Sequence, residues 1–387
     1  MVTFPRLVAE SIRRSKKSVL LLGPRQTGKS TLMRAMRPDL EINLAREATF
    51  FELAQNPRAL EEQLAASRPK TVFLDEVQRL PRVLNTVQAI LDEPSPPRFL
   101  LTGSSARKLR RGRANLLPGR VHTYGLGPLS TAECDFAMDT TQALSTGTLP
   151  GIYSEPDERE RKKTLRSYAA TYLKEEIQAE ALTRNIEGFA RFLRVAAACA
   201  GSYLDLSKLA SEAMVPRQTA VRFFEILEET LVVQRCDPFA NSERRRLVQH
   251  PRYYFLDNGV LNALLGSFTP AADRIGILFE HLLHSQISAL VIGRDAEVRV
   301  SSYRTEHGAE VDFILEGHGI LWAVECKASR NVGPSDCRGL ARFSEFYGKR
   351  HRSVVAYLGD AKRRISHVDV LPWQELMREL DGELGKA

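Results

Sequence analysis

Long hydrophobic runs are missing from this chain of 387 residues. No stretch approaches the ~18 apolar residues that a membrane-spanning helix needs, and the early run Ser18–Leu22 is too short for the apolar part of a secretory signal. Cysteine is scarce as well. The five cysteines are odd in number and widely spaced, and they form no CxxC or Cys/His zinc pattern. These absences argue against a membrane protein, a disulfide framework and a structural zinc site. We therefore expect a soluble cytoplasmic protein.

A strong excess of one charge is also absent. The 55 Lys and Arg residues against 47 Asp and Glu residues leave a net charge of +8, and the sequence pI is near 9.3. This balance favours a polyanionic partner, but +8 is modest for so long a chain and fits a solvated surface equally well. Charge alone therefore assigns no function.

The hydrophobic pattern changes along the chain, and the length predicts two or three domains. Up to about residue 130, short apolar runs alternate with helix-like segments, which predicts a parallel sheet buried on both faces. The predicted strands there are Ser18–Leu22, Thr71–Leu74 and Arg98–Thr102. From about Pro150 the pattern becomes helical. A helix predicted at Ile275–Val291 is then followed by strands predicted at Glu297–Tyr303, Glu310–Leu315 and Leu321–Ala328.

The clearest motif fits the phosphate-loop pattern G-x-x-x-x-G-K-[ST] and runs Gly23-Pro24-Arg25-Gln26-Thr27-Gly28-Lys29-Ser30. It follows the first predicted strand and opens a helix from Thr31, as the motif requires. Such a loop curls backbone N–H groups round phosphate oxygens, and the helix N-terminus adds a positive dipole. Lys29 is expected to reach the β- and γ-phosphates and Ser30 to ligate Mg²⁺. The alternative is an accidental glycine turn, against which the surrounding strand and helix argue.

Two further strand ends carry side chains suited to the same site. The second predicted strand ends in Asp75 and Glu76. We expect Asp75 to hold the Mg²⁺ shell and Glu76 to orient and deprotonate the attacking water. The third predicted strand ends in hydroxyls, of which Thr102 or Ser104 is placed to hydrogen-bond the γ-phosphate or the water. Capping of the next helix is an equally good role for Ser104.

The helix predicted after the third strand is strongly basic and carries Arg107, Lys108, Arg110, Arg111 and Arg113. It ends at Pro118-Gly119-Arg120. Together with Leu-Asp-Glu-Val-Gln, Leu-Thr-Gly-Ser-Ser and the phosphate loop, this ending resembles bacterial and archaeal AAA+ ATPases whose C-terminal part is the domain of unknown function DUF4143. The resemblance runs over nearly the whole chain. It implies that Arg120 acts in trans at a neighbouring subunit's nucleotide, so that hydrolysis needs a homo-oligomer; a solvated helix-end arginine is the alternative.

The middle region fits a helix-turn-helix at Leu206–Ala213 and Arg217–Leu227. In that interpretation the second helix presents Arg217, Gln218, Thr219 and Arg222 to a DNA groove. Two strands, at Leu231–Gln234 and Arg252–Leu256, follow as a wing, and Arg244, Arg245 and Arg246 at its tip suit phosphate contacts. Winged helices also serve as protein-docking or lid modules, and an arginine run is often only a solvated loop.

Four residues near the C-terminus predict a second metal site: Glu280 on a helix, Asp312 on one strand, and Glu325 with Lys327 on the next. Side chains alternate along a strand, so Glu325 and Lys327 project from one face. With the Cys326 carbonyl, the carboxylates would hold Mg²⁺ and Lys327 would position a water for attack on a phosphodiester. The order resembles the PD-(D/E)xK nuclease superfamily, with Val311 where the proline stands. An exposed strand ion pair explains Glu325 and Lys327 as well.

The sequence thus predicts an α/β chain in three parts. These are an AAA+ domain with a parallel phosphate-loop sheet at 1–150, a helical connector and winged helix at 151–260, and a nuclease-like DUF4143 domain at 261–387. The predicted function is Mg²⁺-dependent ATP hydrolysis coupled to DNA binding or processing, with nuclease action left open. The alternative is a nucleotide-switched regulatory or interaction protein whose nuclease-like fold cuts nothing.

Overall fold

The computed structural model describes residues 4–104, 117–172, 186–239 and 250–386. Its contacts divide the chain into two compact units. The N-terminal unit comprises Pro5–Gly127 with Glu229–Val232, and the C-terminal unit comprises Pro128–Glu228 and Val233–Ala387 with Met1–Phe4. The C-terminal unit therefore contains both the predicted helical middle region and the predicted second α/β region.

The N-terminal unit is built on a five-stranded, all-parallel sheet with the order β2-β3-β4-β1-β5. Its strands are β1 (Ser18–Leu22), β2 (Leu40–Asn43), β3 (Thr71–Asp75), β4 (Arg98–Gly103) and β5 (Val121–Gly125). Its described helices are α1 (Val8–Arg14), α2 (Lys29–Ala35), α3 (Glu47–Gln55), α4 (Ala59–Ser67) and α5 (Val83–Leu91). The sequence predicted the three central strands and missed β2 and β5.

The central strands are continuous apolar runs because helices cover both faces of the sheet. Successive side chains point to opposite faces, so Leu20 packs in one core cluster while Val19 and Leu21 pack in the other. The carboxyl ends of β1, β3 and β4 lie along one edge of the sheet, since these strands are parallel and adjacent in register. That edge receives the phosphate loop, the acidic pair and the hydroxyl residues.

The C-terminal unit has an eight-stranded mixed sheet with the order β12-β13-β11-β10-β9-β8-β6-β7. Its strands are β6 (Val233–Pro238), β7 (Arg252–Phe255), β8 (Val298–Arg304), β9 (Glu310–Gly317), β10 (Ile320–Lys327), β11 (Arg352–Tyr357), β12 (Arg363–Ile365) and β13 (Val368–Pro372). Its α-helices are α6 (Thr140–Thr146), α7 (Pro150–Tyr153), α8 (Glu158–Ser167), α9 (Ile186–Ala198), α10 (Leu206–Glu212), α11 (Arg217–Glu229), α12 (Asn258–Leu265), α13 (Ile275–Gly293), α14 (Arg338–Tyr347) and α15 (Trp373–Leu384).

The two strands predicted as a wing belong to this large sheet. β6 pairs antiparallel with β7, and Asp237 and Pro238 of β6 pair in parallel with Ser301 and Ser302 of β8. Helices α9, α10 and α11 precede β6 along the chain, and the winged helix remains a prediction from sequence. The middle region therefore shares its hydrogen-bonded sheet with the strands that carry Asp312 and Glu325.

The expectation that no stretch approaches the apolar length of a membrane-spanning helix is wrong for α13, the one described helix whose length and apolar composition would suffice to cross a membrane. In this structure, 61% of its most apolar window is buried within the protein. Leu278, Leu282 and Leu290 are among its buried side chains. The helix thus packs as a core element of the C-terminal unit, and its one acidic residue, Glu280, is half-buried.

Candidate functional site

The phosphate-loop motif follows β1 directly, and its last two residues, Lys29 and Ser30, are the first two residues of α2. Gly28, just before the helix, has a φ of 88°, a left-handed value that favours glycine. Gly23 lies so close to the backbone of Leu126 that a Cβ placed on it would be 2.2 Å from that carbonyl oxygen. The two glycines of the motif are therefore required for different reasons, one for backbone conformation and one for close packing.

Lys29 is buried inside the curve of this loop. Its Nζ donates hydrogen bonds to the carbonyl oxygens of Gly23 (2.9 Å) and Pro24 (2.8 Å). The Thr27 hydroxyl donates to the same Pro24 carbonyl at 2.9 Å. The loop thus holds an ammonium group at its centre, which is the charge that a phosphate cradle needs.

Asp75, at the carboxyl edge of the sheet, accepts hydrogen bonds from hydroxyl groups of two other elements. Its Oδ1 accepts hydrogen bonds from the Ser30 hydroxyl at 2.8 Å and from the Thr102 hydroxyl at 2.5 Å. Arg34 lies 3.7 Å from the other carboxylate oxygen. Hydroxyl and carboxylate oxygens are ligands that suit Mg²⁺, which usually keeps several waters and substrate phosphate oxygens besides. Ser30 and Asp75 therefore fit a Mg²⁺–nucleotide complex.

Glu76 is held in place by Gln78, a residue that the sequence reasoning missed. The Gln78 side-chain amide donates hydrogen bonds to the Glu76 carboxylate and, at 2.9 Å, to the Ser104 hydroxyl. Glu76 itself has a left-handed backbone, and its N–H donates to the Thr102 hydroxyl at 3.2 Å. Gln78 thereby connects the predicted water-activating carboxylate to a predicted phosphate sensor.

Arg6 supports the loop from outside and was also missed. Its guanidinium donates to the carbonyl oxygens of Thr27 (2.5 Å) and Gly127 (2.8 Å). The residue lies 21 positions before Thr27, ahead of α1, where no motif marks it. Only the fold brings it to the phosphate loop.

The acidic residues of the C-terminal unit surround an arginine. Arg252 of β7 is buried, and its Nη2 donates to the Glu280 carboxylate. Its Nη1 lies 3.7 Å from an Asp312 oxygen and 3.8 Å from a Glu310 oxygen. Lys327 pairs with Glu325 at 2.9 Å. We call Arg252, Glu280, Glu310, Asp312, Glu325 and Lys327 the acidic cluster.

Burial raises the affinity of this cluster for protons. Desolvation, followed by the charge of Asp312, raises the pKa of Glu280 to about 8 and that of Glu325 to about 8. Four carboxylates face two cations in the cluster, so full ionisation would leave a charge of −2 in a poorly solvated place. The raised pKa values are the expected response to that imbalance.

The predicted metal ligands in this cluster do not fit a metal ion as they stand. Across residues 4–104, 117–172, 186–239 and 250–386, no three or more His, Cys, Asp or Glu side chains are grouped to hold one. Asp312 Oδ2 accepts a hydrogen bond from the Cys326 N–H at 2.8 Å, so Cys326 takes part through its N–H. The guanidinium of Arg252 lies between Glu280 and Asp312. The predicted metal site of Glu280, Asp312 and Glu325 remains a prediction from sequence.

Family comparisons agree with the phosphate-loop geometry, because residues 15–134 match the family described as AAA domain. We call residues 15–134 the AAA domain after this match. Residues 138–271 and 275–376 match the domains of unknown function DUF8612 and DUF4143. The expected resemblance to AAA-type ATPases with a DUF4143 part is thereby confirmed for those two parts, and the nuclease-like resemblance remains a prediction.

Similar proteins cover most of the chain. Two uncharacterized proteins, one from Mycobacterium bovis and one from Mycobacterium tuberculosis, are each 28% identical over 377 residues, which is 91% of this chain and 82% of the relative. Replication initiator DnaA bound to AMPPCP and single-stranded DNA covers 58% of this chain and 86% of its own at 12% identity, with a TM-score of 0.26. A Vibrio cholerae protein covers 95% and 98% at 10% identity, with a TM-score of 0.23. At these TM-scores neither structure bears on fold or function here.

The remaining predicted residues of the AAA domain lie at its surface. Arg25, Gln26 and Thr31 are exposed on and after the phosphate loop. Arg120 forms an ion pair with Asp92 at 2.5 Å. It precedes Val121, which is aligned with Ser18 at the start of β1, about 13 Å along the strand from the loop-bearing end. Arg120 is thus remote from the phosphate loop of its own chain.

The predicted DNA-facing helix presents polar side chains to solvent. Arg217, Gln218 and Arg222 are exposed, and Thr219 is half-buried. The opposite face of α11 packs Phe223 and Phe224 against Phe192 with ring centroids 5.1 and 4.9 Å apart. Two groups of predicted residues lie outside the described part of the chain: Arg107, Lys108, Arg110, Arg111 and Arg113, and the wing-tip residues Arg244, Arg245 and Arg246.

Proposed function

We propose that the AAA domain binds and hydrolyses ATP with Mg²⁺. The observation that carries this proposal is the convergence of Ser30, Asp75 and Thr102 beside the phosphate loop. Three elements far apart in sequence place a carboxylate and two hydroxyls within hydrogen-bond distance, next to the buried ammonium of Lys29. Nucleotide binding alone needs the loop, whereas hydrolysis also needs the acidic pair at the end of β3.

Each residue of the site has a role in this proposal. The loop from Gly23 to Ser30 donates backbone N–H groups to the phosphates, and Lys29 exchanges its carbonyl partners for β- and γ-phosphate oxygens. Ser30 and Asp75 would hold Mg²⁺, which neutralises charge on the phosphates when bound. Thr102 and Ser104 are placed to hydrogen-bond the γ-phosphate or the attacking water.

Glu76 is the proposed general base. It takes a proton from the water that attacks the γ-phosphorus, and the bond to the β-phosphate oxygen breaks as the new P–O bond forms. Gln78 is a positioning residue, since it touches Glu76 and Ser104 and acts through them.

Phosphate release tests this proposal. We expect Mg²⁺-dependent turnover by the full chain, a loss of at least about tenfold in Lys29→Ala, and a similar loss in Glu76→Gln with ATP binding retained. Lys70→Ala is a matched control, because Lys70 is an exposed lysine of the same unit. Equal phosphate release from wild type and Lys29→Ala would refute the proposal that this site hydrolyses ATP.

We further propose that hydrolysis is coupled to engagement of DNA through α11. The supporting observation is that Arg217, Gln218 and Arg222 project from one exposed end of this helix while its other face is fixed by aromatic packing. Polar and cationic side chains at the start of a second helix are suited to phosphate and base-edge contacts. An ATP-driven role of this kind fits a cytoplasmic location.

Duplex binding at several salt concentrations tests this coupling. The double variant Arg217→Ala/Arg222→Ala should bind more weakly and show a shallower salt dependence, because two phosphate contacts are lost. Arg342→Ala, an exposed arginine elsewhere in the same unit, is the control. Unchanged binding by the double variant would favour the rival function, a nucleotide-switched protein that docks another partner and cuts nothing.

A further inference from the structure

Arg252 is an unusual residue in the C-terminal unit, because a buried guanidinium stands where sequence reasoning expects a metal ion. It begins β7 and lies against the helix and strand that carry the predicted ligands. Its Nη2 bonds the Glu280 carboxylate, and its Nε donates to the Gly201 carbonyl. Its Nη1 faces Asp312 at 3.7 Å and Glu310 at 3.8 Å. One cation therefore contacts three carboxylates from two different elements.

Aromatic rings hold this guanidinium in position. Its carbon lies 5.1 Å from the centre of the Tyr203 ring and 5.5 Å from that of the Tyr254 ring, distances typical of cation–π contacts. The Tyr254 hydroxyl donates to the Glu280 oxygen at 2.6 Å. Because the planar group is both stacked and hydrogen-bonded, moving it aside would break several contacts at once.

The predicted metal ligands already accept hydrogen bonds from other groups of the same chain. Glu280 accepts from Arg252 and Tyr254, and Asp312 accepts from the Cys326 N–H. Glu325 accepts from Lys327, and its second oxygen is buried with no hydrogen-bond partner among the described residues. A divalent ion among these oxygens would lie close to Arg252, a charge of the same sign, and would have to replace these donors.

We propose that Arg252 is a built-in counter-ion that takes the place of a divalent metal between Glu280 and Asp312. The acidic cluster then fastens β7 to α13 and β9 and does not cleave phosphodiesters. This inference concerns the C-terminal unit alone and does not depend on ATP hydrolysis by the AAA domain.

The first experiment measures Mn²⁺ binding by electron paramagnetic resonance of free Mn²⁺, without nucleotide. All proteins carry Asp75→Asn, so that the AAA site does not contribute. We expect the same titration for this parent and for the parent with Asp312→Asn, because neither holds Mn²⁺ in the acidic cluster. A Mn²⁺ site in the parent that disappears with Asp312→Asn would overturn the proposal.

The second experiment removes the guanidinium with Arg252→Met in the same background. Four carboxylates then lose their main cation, and Mn²⁺ is expected to raise the melting temperature of this variant and not that of the parent. Adding Asp312→Asn should abolish the response. Arg235→Met is the matched control, since Arg235 lies on the neighbouring strand and pairs with Asp237 outside the cluster.

A folded Arg252→Met protein whose melting temperature does not change with Mn²⁺ would also overturn the proposal, because the cluster without the guanidinium would then not bind a metal ion. If the variant does not fold, the comparison of the parent with Asp312→Asn decides alone. Folding of the variant only in the presence of Mn²⁺ would support the proposal.

Discussion

Individual side chains at the nucleotide site illustrate how far residue type and spacing predict chemistry. Lys29, Ser30 and Asp75 were expected to share a site, and the structure brings Ser30 and Asp75 to 2.8 Å. Gln78 and Arg6 were not expected, since an amide two residues after an acidic pair and an arginine before the first helix carry no pattern. Their roles depend on three-dimensional contacts that only the fold creates.

Gln78 gives the first prediction at this scale. Replacing it with Leu keeps the size of the side chain but releases Glu76 and Ser104. We expect Gln78→Leu to lower kcat for ATP hydrolysis roughly tenfold to hundredfold, with little change in the Kd for ATP, because Gln78 acts through the general base. Gln63→Leu, which removes an exposed amide paired with Glu52, is the control. Equal losses in kcat and affinity would indicate a purely structural role.

Asp257 gives a second prediction, on pH. Its buried carboxylate caps α12 and accepts from the N–H groups of Thr148 (2.6 Å) and Gly259 (2.8 Å), yet burial raises its pKa from 3.8 to about 6. A raised native pKa means that its contribution to stability is present below pH 3.8 and is lost as the pH rises through about 6.

Denaturant unfolding of wild type and Asp257→Asn at several pH values checks this linkage. The free energy of unfolding of wild type, relative to the variant, should increase by about 2 kcal/mol between pH 7 and pH 4. A difference that stays constant over this range would show that Asp257 has the same pKa in the folded and unfolded chain.

At the scale of elements, the buried strands were the most predictable. β1, β3 and β4 are apolar on both faces, so their sequences leave little choice of structure. β2 and β5 flank the sheet and carry polar or exposed residues such as Glu41, His122 and Thr123, which removes the apolar signal. In the C-terminal unit, β8, β9 and β10 begin and end within two residues of the predicted bounds.

Arg252 was missed because its contacts depend on how separate strands and helices pack together. The sequence marks it only as the first residue of a strand predicted to form a wing. Its partner Glu280 lies 28 positions later, on a helix whose sequence is typical of a core element. Pairing of β6 with β8 connects the wing strands to the strand region of Asp312, and no local signal predicts that register.

The phosphate loop gives a prediction at the element scale. Gly23→Ala would place a methyl group 2.2 Å from the Leu126 carbonyl oxygen, so the loop or the end of β5 must shift. We expect a loss of about 1–3 kcal/mol in the free energy of unfolding and weaker ATP binding. At Gly151, an exposed helical position, an added methyl meets no atom of the described residues within 4 Å, so Gly151→Ala should leave ATP binding unchanged and should not lower the free energy of unfolding. Normal ATP binding by Gly23→Ala would argue against close packing at this position.

At the scale of the whole molecule, sequence reasoning separates three regions, and contacts in the structure define two units. The difference arises because β6 and β7, at the end of the middle region, hydrogen-bond into the sheet of the last region. A helical segment and an α/β segment can thus share one core although their hydrophobic patterns differ. The homo-oligomer that the family resemblance implies is also a property of the whole molecule, and we propose it because Arg120 lies away from the phosphate loop of its own chain.

Complementation between two inactive proteins tests Arg120. Arg120→Ala retains the phosphate loop, and Lys29→Ala retains the arginine, so a mixture should recover part of the ATP turnover that each has lost. Arg58→Ala, an exposed arginine of the same unit, should be fully active alone. Full activity of Arg120→Ala by itself would show that the arginine is only a surface residue paired with Asp92.

Calorimetric titration of ATP into the protein at millimolar Mg²⁺ is the decisive measurement, because every other role proposed for the AAA domain requires a bound triphosphate. We expect one binding site per chain in the wild type and a loss of at least about tenfold in affinity in Lys29→Ala. No heat of binding from the wild type, or identical titrations of the two proteins, would contradict it.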